Sequence, residues 1–212
     1  MSRLEHTASS PKRISMSPAG FKINKESGED YELKLWGRLP PDWIGSLSAG
    51  LCQTGMSIVS GNARKEQSVW QAVFRFTANG GTTDVTRINY LSLAMDNLGG
   101  GRAADIFLDD FVLDGDLERY DGALYLEVSA SNELGFLGAV INHCAFYALF
   151  PETMMIDTID GKVSDRFWIK GLGGQTPSDR AIDLLRQNLE SCLKKRRRGD
   201  KHKAPFRVVV DR

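Results

Sequence analysis

Two short stretches carry residue types that suit recognition of a small polar molecule. They are Asp42-Trp43-Ile44-Gly45-Ser46-Leu47 and Asn132-Glu133-Leu134-Gly135-Phe136-Leu137, which share the pattern Asp/Asn-x-x-Gly-x-Leu. Each lies where an alternating, strand-like run gives way to an amphipathic helical run. Backbone N–H groups at a helix start lack intrahelical partners and face the positive end of the helix dipole, so such a turn can hold a carboxylate. Gly45 and Gly135 leave the backbone open to close approach. Asp42 and Asn132 offer acceptors to an ammonium group. The combination suits a free amino acid. The same Asp and Gly types also serve N-capping and tight helix–sheet packing with no ligand present.

The remaining candidates for chemistry are weaker. His6, His143 and His202 are scattered, and His143 lies beside an apolar helix face. Cys52, Cys144 and Cys192 form no Cys-x-x-Cys, and no signal-peptide core precedes them, which fits a reducing cytoplasm. Cys144 and Cys192 fall on apolar helix faces as small hydrophobes. The segment from Asp110 to Asp121 fails as a calcium loop, because Val112 occupies a ligand position and Asp121 stands where Glu belongs. Gly171-Leu172-Gly173-Gly174-Gln175-Thr176 lacks the lysine of a phosphate loop. Lys194 to Lys203 is a basic run that complements a helix C-terminus, and its other reading is a nucleic-acid contact. No Ser/His/Asp, Cys/His or paired-carboxylate set emerges, so no enzyme, cofactor or metal is expected. Lys plus Arg (27) equals Asp plus Glu (27), leaving no global field for nucleic acid or an anionic membrane. The longest apolar run, 137–150, is interrupted by Asn142 and His143 and is too short to span a bilayer.

The elements that position the two turns follow from periodicity. Residues 1–30 are Ser-rich with few large apolar side chains, and read as a flexible tail. Leu33 and Leu35 alternate with Glu32 and Lys34 in a strand ended by Pro40 and Pro41, and Asp42 caps a helix carrying Ile44, Leu47 and Leu51. Met56–Arg64 and the strictly alternating Trp70, Ala72, Phe74 and Phe76 are strands. Val85, Ile88, Leu91 and Met95 mark a helix, and Ile106–Leu113 a fourth strand. After an acidic linker (115–121), Leu124, Leu126, Val128 and Ala130 alternate. A helix with Leu137, Val140, Ile141, Cys144 and Ala148 follows, closed by Pro151. Strands 154–158 and 163–170 flank a tight Asp160-Gly161 turn. A helix with Ile182, Leu185, Leu189 and Cys192 comes next, and Phe206, Val208 and Val210 form a last strand. The chain thus reads as two α+β domains, 31–114 and 122–212. Each has βαββαβ order, with an antiparallel sheet and both helices on one face in the ferredoxin-like arrangement. Phe74 and Phe167 occupy matching places in the third strands and are core candidates.

With turn and topology together, residues 31–212 resemble the ACT domain, a small-ligand-binding regulatory module of ferredoxin-like fold. Both Asp/Asn-x-x-Gly-x-Leu stretches look like the family's turn. Asp165-Arg166-Phe167 is similar to its third strand, whereas Ala72-Val73-Phe74 lacks the acid and Asn132 replaces the commoner Asp. The resemblance implies a stand-alone tandem ACT protein that senses a small molecule, an amino acid by preference. Contacts would come from Asp42, Trp43, Ile44, Gly45 and Ser46 and from Asn132, Glu133, Leu134, Gly135 and Phe136, with Trp43 and Glu133 on the solvent or interface side. It implies binding where two domains abut, supplied by the two halves of one chain or by a homodimer, and a separate regulated protein. The other readings are a ligandless assembly module and nucleic-acid binding through 194–203.

Overall fold

In the computed structural model, which describes residues 18–78, 84–96 and 105–193, the first half runs β1 (Gly20–Ser27), β2 (Asp30–Gly37), α1 (Trp43–Gln53), β3 (Met56–Glu66), β4 (Val69–Ala78) and α2 (Tyr90–Met95). The second half runs β5 (Asp110–Asp114), β6 (Leu124–Ser131), α3 (Phe136–Phe146), β7 (Leu149–Ile159), β8 (Lys162–Gly171) and α4 (Asp179–Cys192). The described residues are α+β. Eight strands form one antiparallel sheet in the order β1-β2-β4-β3-β7-β8-β6-β5.

Strand alternation decides which face is covered. Leu33 and Leu35 of β2, Phe74 and Phe76 of β4, Leu126 and Val128 of β6, and Phe167 and Ile169 of β8 are all buried beneath the helices. Each full burial contributes roughly 1.5–3 kcal/mol. The helices return matching stripes: Ile44, Leu47 and Leu51 from α1, Val140, Ile141 and Cys144 from α3, and Ile182, Leu185 and Leu189 from α4. Tyr90 of α2 packs against Phe21 and Phe76 and donates its hydroxyl hydrogen to the Val85 carbonyl (2.9 Å). Among the described residues no helix packs on the opposite face. Trp36, Val112 and Met155 stand on it at 36, 52 and 43% exposure.

The halves join in the middle of the sheet. Ser60, Asn62 and Arg64 of β3 pair with Asp157, Met155 and Thr153 of β7. The two halves are therefore joined in one sheet by main-chain hydrogen bonds, and the helices α1 and α3 meet above the seam.

Several expectations are corrected. Among the described residues the element order is ββαββα in each half, with a strand ahead of the expected first strand in both. Residues 20–27, assigned to the tail, form β1, which pairs with β2 through Phe21↔Leu35 and Ile23↔Leu33. The strand expected at 106–113 as the last of the first half is β5 (Asp110–Asp114), and it pairs instead with β6 of the second. The cause is connection length: Gly28 (φ 51°) and Glu29 close a tight β1–β2 hairpin, a shorter route to that sheet edge than a return after α2. The helix expected over 85–95 is a 3-10 turn at Val85–Arg87, capped by Asp84, followed by the short α2. Pro151 lies inside β7 rather than closing α3, next to a register irregularity between Pro151 and Thr153. The strand expected at 206–210 and the basic run 194–203 lie outside the described residues.

Candidate functional site

The internal repeat is set by the fold, and its step differs from that of the two turn motifs. Structural equivalents lie 93 residues apart: Trp43 and Phe136 open α1 and α3, Met56 and Leu149 open β3 and β7, and Val69 and Lys162 open β4 and β8. Phe74 and Phe167 keep this step, and both are fully buried. The two Asp/Asn-x-x-Gly-x-Leu stretches are 90 apart, so they occupy places one helical turn different. Asp42 stands at the N-cap of α1, without a side-chain capping hydrogen bond. In the second half the N-cap is Gly135, at φ 84°, and Asn132 lies in the loop before it. The true counterpart of Gly45 is Gly138.

Gly45 and Gly138 serve the crossing of α1 and α3. A Cβ on Gly138 would meet Ser48 Oγ at 3.0 Å and Ser48 Cβ at 3.2 Å; one on Gly45 would meet Asn142 Oδ1 at 3.1 Å. The helices are close enough for the Gly138 N–H to donate to Ser48 Oγ (3.0 Å), so one orphan donor of the α3 N-terminus is satisfied by the other half.

Beside this crossing, at the seam, lies a cavity of about 20 Å³, room for one water-sized body. Both halves line it. Ser48 and Leu51 come from α1, and Met56, Ser57 and Ile58 from β3. Asn132, Glu133 and Gly135 form the turn at its mouth, with Phe136 and Leu137 behind them. Ile156 and Thr158 of β7 and Val163 and Asp165 of β8 make the floor. Cys52 stands beside the turn, because a Cβ on Gly135 would meet its sulfur at 3.2 Å.

Asp165 is the unusual member. It is 1% exposed and is the only ionisable side chain among the described buried polar residues. Its Oδ1 accepts a hydrogen bond from the Asp157 N–H (3.2 Å). Burial pushes its pKa up to about 7; the Asp157 N–H opposes that rise, and the Asp157 charge adds to it. No Lys, Arg or His is among the described residues lining the cavity.

The structure distributes the expected contacts unevenly. Asn132, Glu133, Gly135 and Phe136 line the cavity, while Leu134 is half exposed beside them. Asp42 is partly buried, and Trp43, Ile44, Gly45 and Ser46 are buried in α1, none of them lining the cavity. Trp43, expected at the surface, packs edge-on against Trp70 (5.2 Å between rings) and near Phe74, with its indole Nε1 lacking a hydrogen-bond partner. The residues not foreseen at this site are Ser48 and Leu51 of α1, the start of β3, Leu137, and the floor residues of β7 and β8, Asp165 among them. Their signal was the 93-residue step already present in Phe74 and Phe167.

Burial pushes the Cys144 thiol up to about 12, leaving it inert. His143 Nδ1 lies 2.7 Å from Asn188 Oδ1, tying α3 to α4. Among the described residues, no group of three or more His, Cys, Asp or Glu could hold a metal ion, and no helix is long and apolar enough to cross a membrane. No family model matches the chain, and no curated protein or solved structure matches it.

Proposed function

We propose that this chain is a non-catalytic regulatory protein of the ACT type that binds a small molecule, an amino acid by preference, at the seam between its halves. In this reading each half is a ferredoxin-like unit whose outer strand precedes the first strand instead of following the second helix. The strand order β1-β2-β4-β3, with every neighbour antiparallel, supports that view. The observation that carries the proposal is the cavity shared by the 132–137 turn of one half and α1 of the other, with a buried carboxyl in its floor. A water-sized space does not admit an amino acid as it stands, so entry requires outward movement of the exposed Asn132–Leu134 turn. A ligand held there bridges α1 and α3 and favours one packing of the halves, which is the differential binding that regulation needs.

The test is a thermal-shift screen of the full chain against the twenty amino acids and the common purines and pyrimidines. A ligand at 100 times its dissociation constant stabilises the folded state by about 2.7 kcal/mol. A hit that weakens in Asn132→Ala supports the reading, and silence across the panel at millimolar ligand refutes it. A ligandless assembly role is favoured by a different observation, the uncovered sheet face bearing Trp36, Val112 and Met155. Analytical ultracentrifugation across a concentration series separates the two: association without any ligand response supports assembly.

A further inference from the structure

Resting on that reading, we propose that the site recognises an amine, that Asp165 is the group receiving the ligand's ammonium, and that each chain binds one such ligand. The argument begins with what the fold requires at this position. The equivalent of Asp165 in the first half, 93 residues earlier, is Ala72, which is buried on the same face of its sheet next to Phe74. The same frame closes there without an acid. Asp165 is therefore not needed to build the strand, and a buried carboxyl without a cationic partner opposes folding.

Its surroundings leave a place for a cation. One protein donor, the Asp157 N–H, reaches a group able to accept several hydrogen bonds. Among the described residues no cationic side chain lines the space above it, and the cavity volume of about 20 Å³ suits an ammonium head. Glu133 and Asn132 add a second carboxylate and an amide oxygen at the mouth. Two acids and no base disfavour a ligand that is only an anion and favour one that presents a positive charge inward. The rest of an amino acid, or the apolar tail of a simple amine, would extend past the 132–135 turn.

The stoichiometry follows from the same comparison. Where the second half places Phe136, Val163 and Asp165, the first places Trp43, Trp70 and Ala72. The two indoles are buried at 0 and 2% exposure and pack against each other, filling the corresponding volume with larger, apolar side chains.

The experiment is isothermal titration calorimetry of the full chain with methylammonium, ethylammonium, the twenty L-amino acids, and glycolate and lactate as analogues lacking the amine. The variants are Asp165→Asn, which keeps an acceptor for the Asp157 N–H, and Asp165→Ala, which installs the residue the first half already uses. Circular dichroism confirms that each folds. The expected result is one site per chain, no binding of glycolate or lactate, and affinity reduced about tenfold or more in both variants. Binding of simple amines as tightly as amino acids would assign the ligand to amines generally; selective binding of amino acids would assign the carboxylate a role as well. Equal binding of lactate and alanine, unchanged affinity in Asp165→Asn, or two sites per chain overturns this proposal while leaving a ligand sensor in place. Absence of binding by every probe overturns it together with the sensor reading.

Discussion

Replacing Asp165 by Asn should stabilise the folded chain at neutral pH and leave it nearly unchanged in acid. The folded-state pKa is raised to about 7 from 3.8, with burial as the main cause. As pH rises, the unfolded chain releases this proton first. The stability associated with the protonated acid is thus complete below about pH 4 and lost progressively toward pH 7. At about 1.4 kcal/mol per pH unit, the loss totals on the order of 4 kcal/mol by pH 8. Asn is close in size, has no proton to lose in this range and can still accept from the Asp157 N–H. The acidic groups near Asp165 are Asp157 on β7 and Glu133 in the turn lining the same cavity, and both are present in the two proteins. Urea denaturation followed by circular dichroism at pH 4, 5, 6, 7 and 8 gives the comparison directly. The variant should match the native chain within about 1 kcal/mol at pH 4 and exceed it by several kcal/mol at pH 8. A difference that stays flat across this range, or a variant less stable at pH 8, would refute the reasoning, because Asp165 would then not be a buried acid held protonated by its surroundings.

Gly138→Ala should destabilise by about 1–3 kcal/mol, because its Cβ presses on Ser48 at the α1–α3 crossing. Gly115→Ala meets nothing within 4 Å and should change stability by no more than about 0.5 kcal/mol; equal effects in chemical denaturation would remove the packing argument. Trp43→Ala should cost about 3–5 kcal/mol by emptying the space it shares with Trp70 and Phe74. A loss under about 1 kcal/mol in the same assay would mean that the first half is not plugged.

Much of the local structure was written in neighbouring residues. The alternation of Trp70, Ala72, Phe74 and Phe76 appears as β4, and Asp160-Gly161 as the β7–β8 turn with both residues at positive φ. Asn132, Glu133, Gly135 and Phe136, singled out from the sequence, border the cavity between the halves. The β1 strand was also available in outline: Phe21 and Ile23 alternate with Lys22 and Asn24 just before Gly28. Its short, Ser-flanked segment outweighed that pattern because composition says nothing about a partner strand waiting at residues 30–37. The motif step of 90 conflicted with the 93 that separates Phe74 from Phe167. A six-residue pattern tolerates a shift of nearly one helical turn, whereas paired strands do not tolerate a slip without moving side chains to the wrong face.

By itself the sequence determined most of the strands and long helices, the α+β class and the turn where a ligand would be sought, because these depend on periodicities of two and 3.6 and on turn chemistry. Only the tertiary structure decided that β1 and β5 lie at the outer edges, that β3 meets β7, and that Gly45 and Gly138 bring α1 and α3 together. It also decided that Asp165 and Ser48, 117 positions apart, border one cavity while Trp43 and Trp70 fill its counterpart. Edge choice and burial are long-range outcomes: each depends on which surfaces find a complementary partner, and no local window of the chain contains that information.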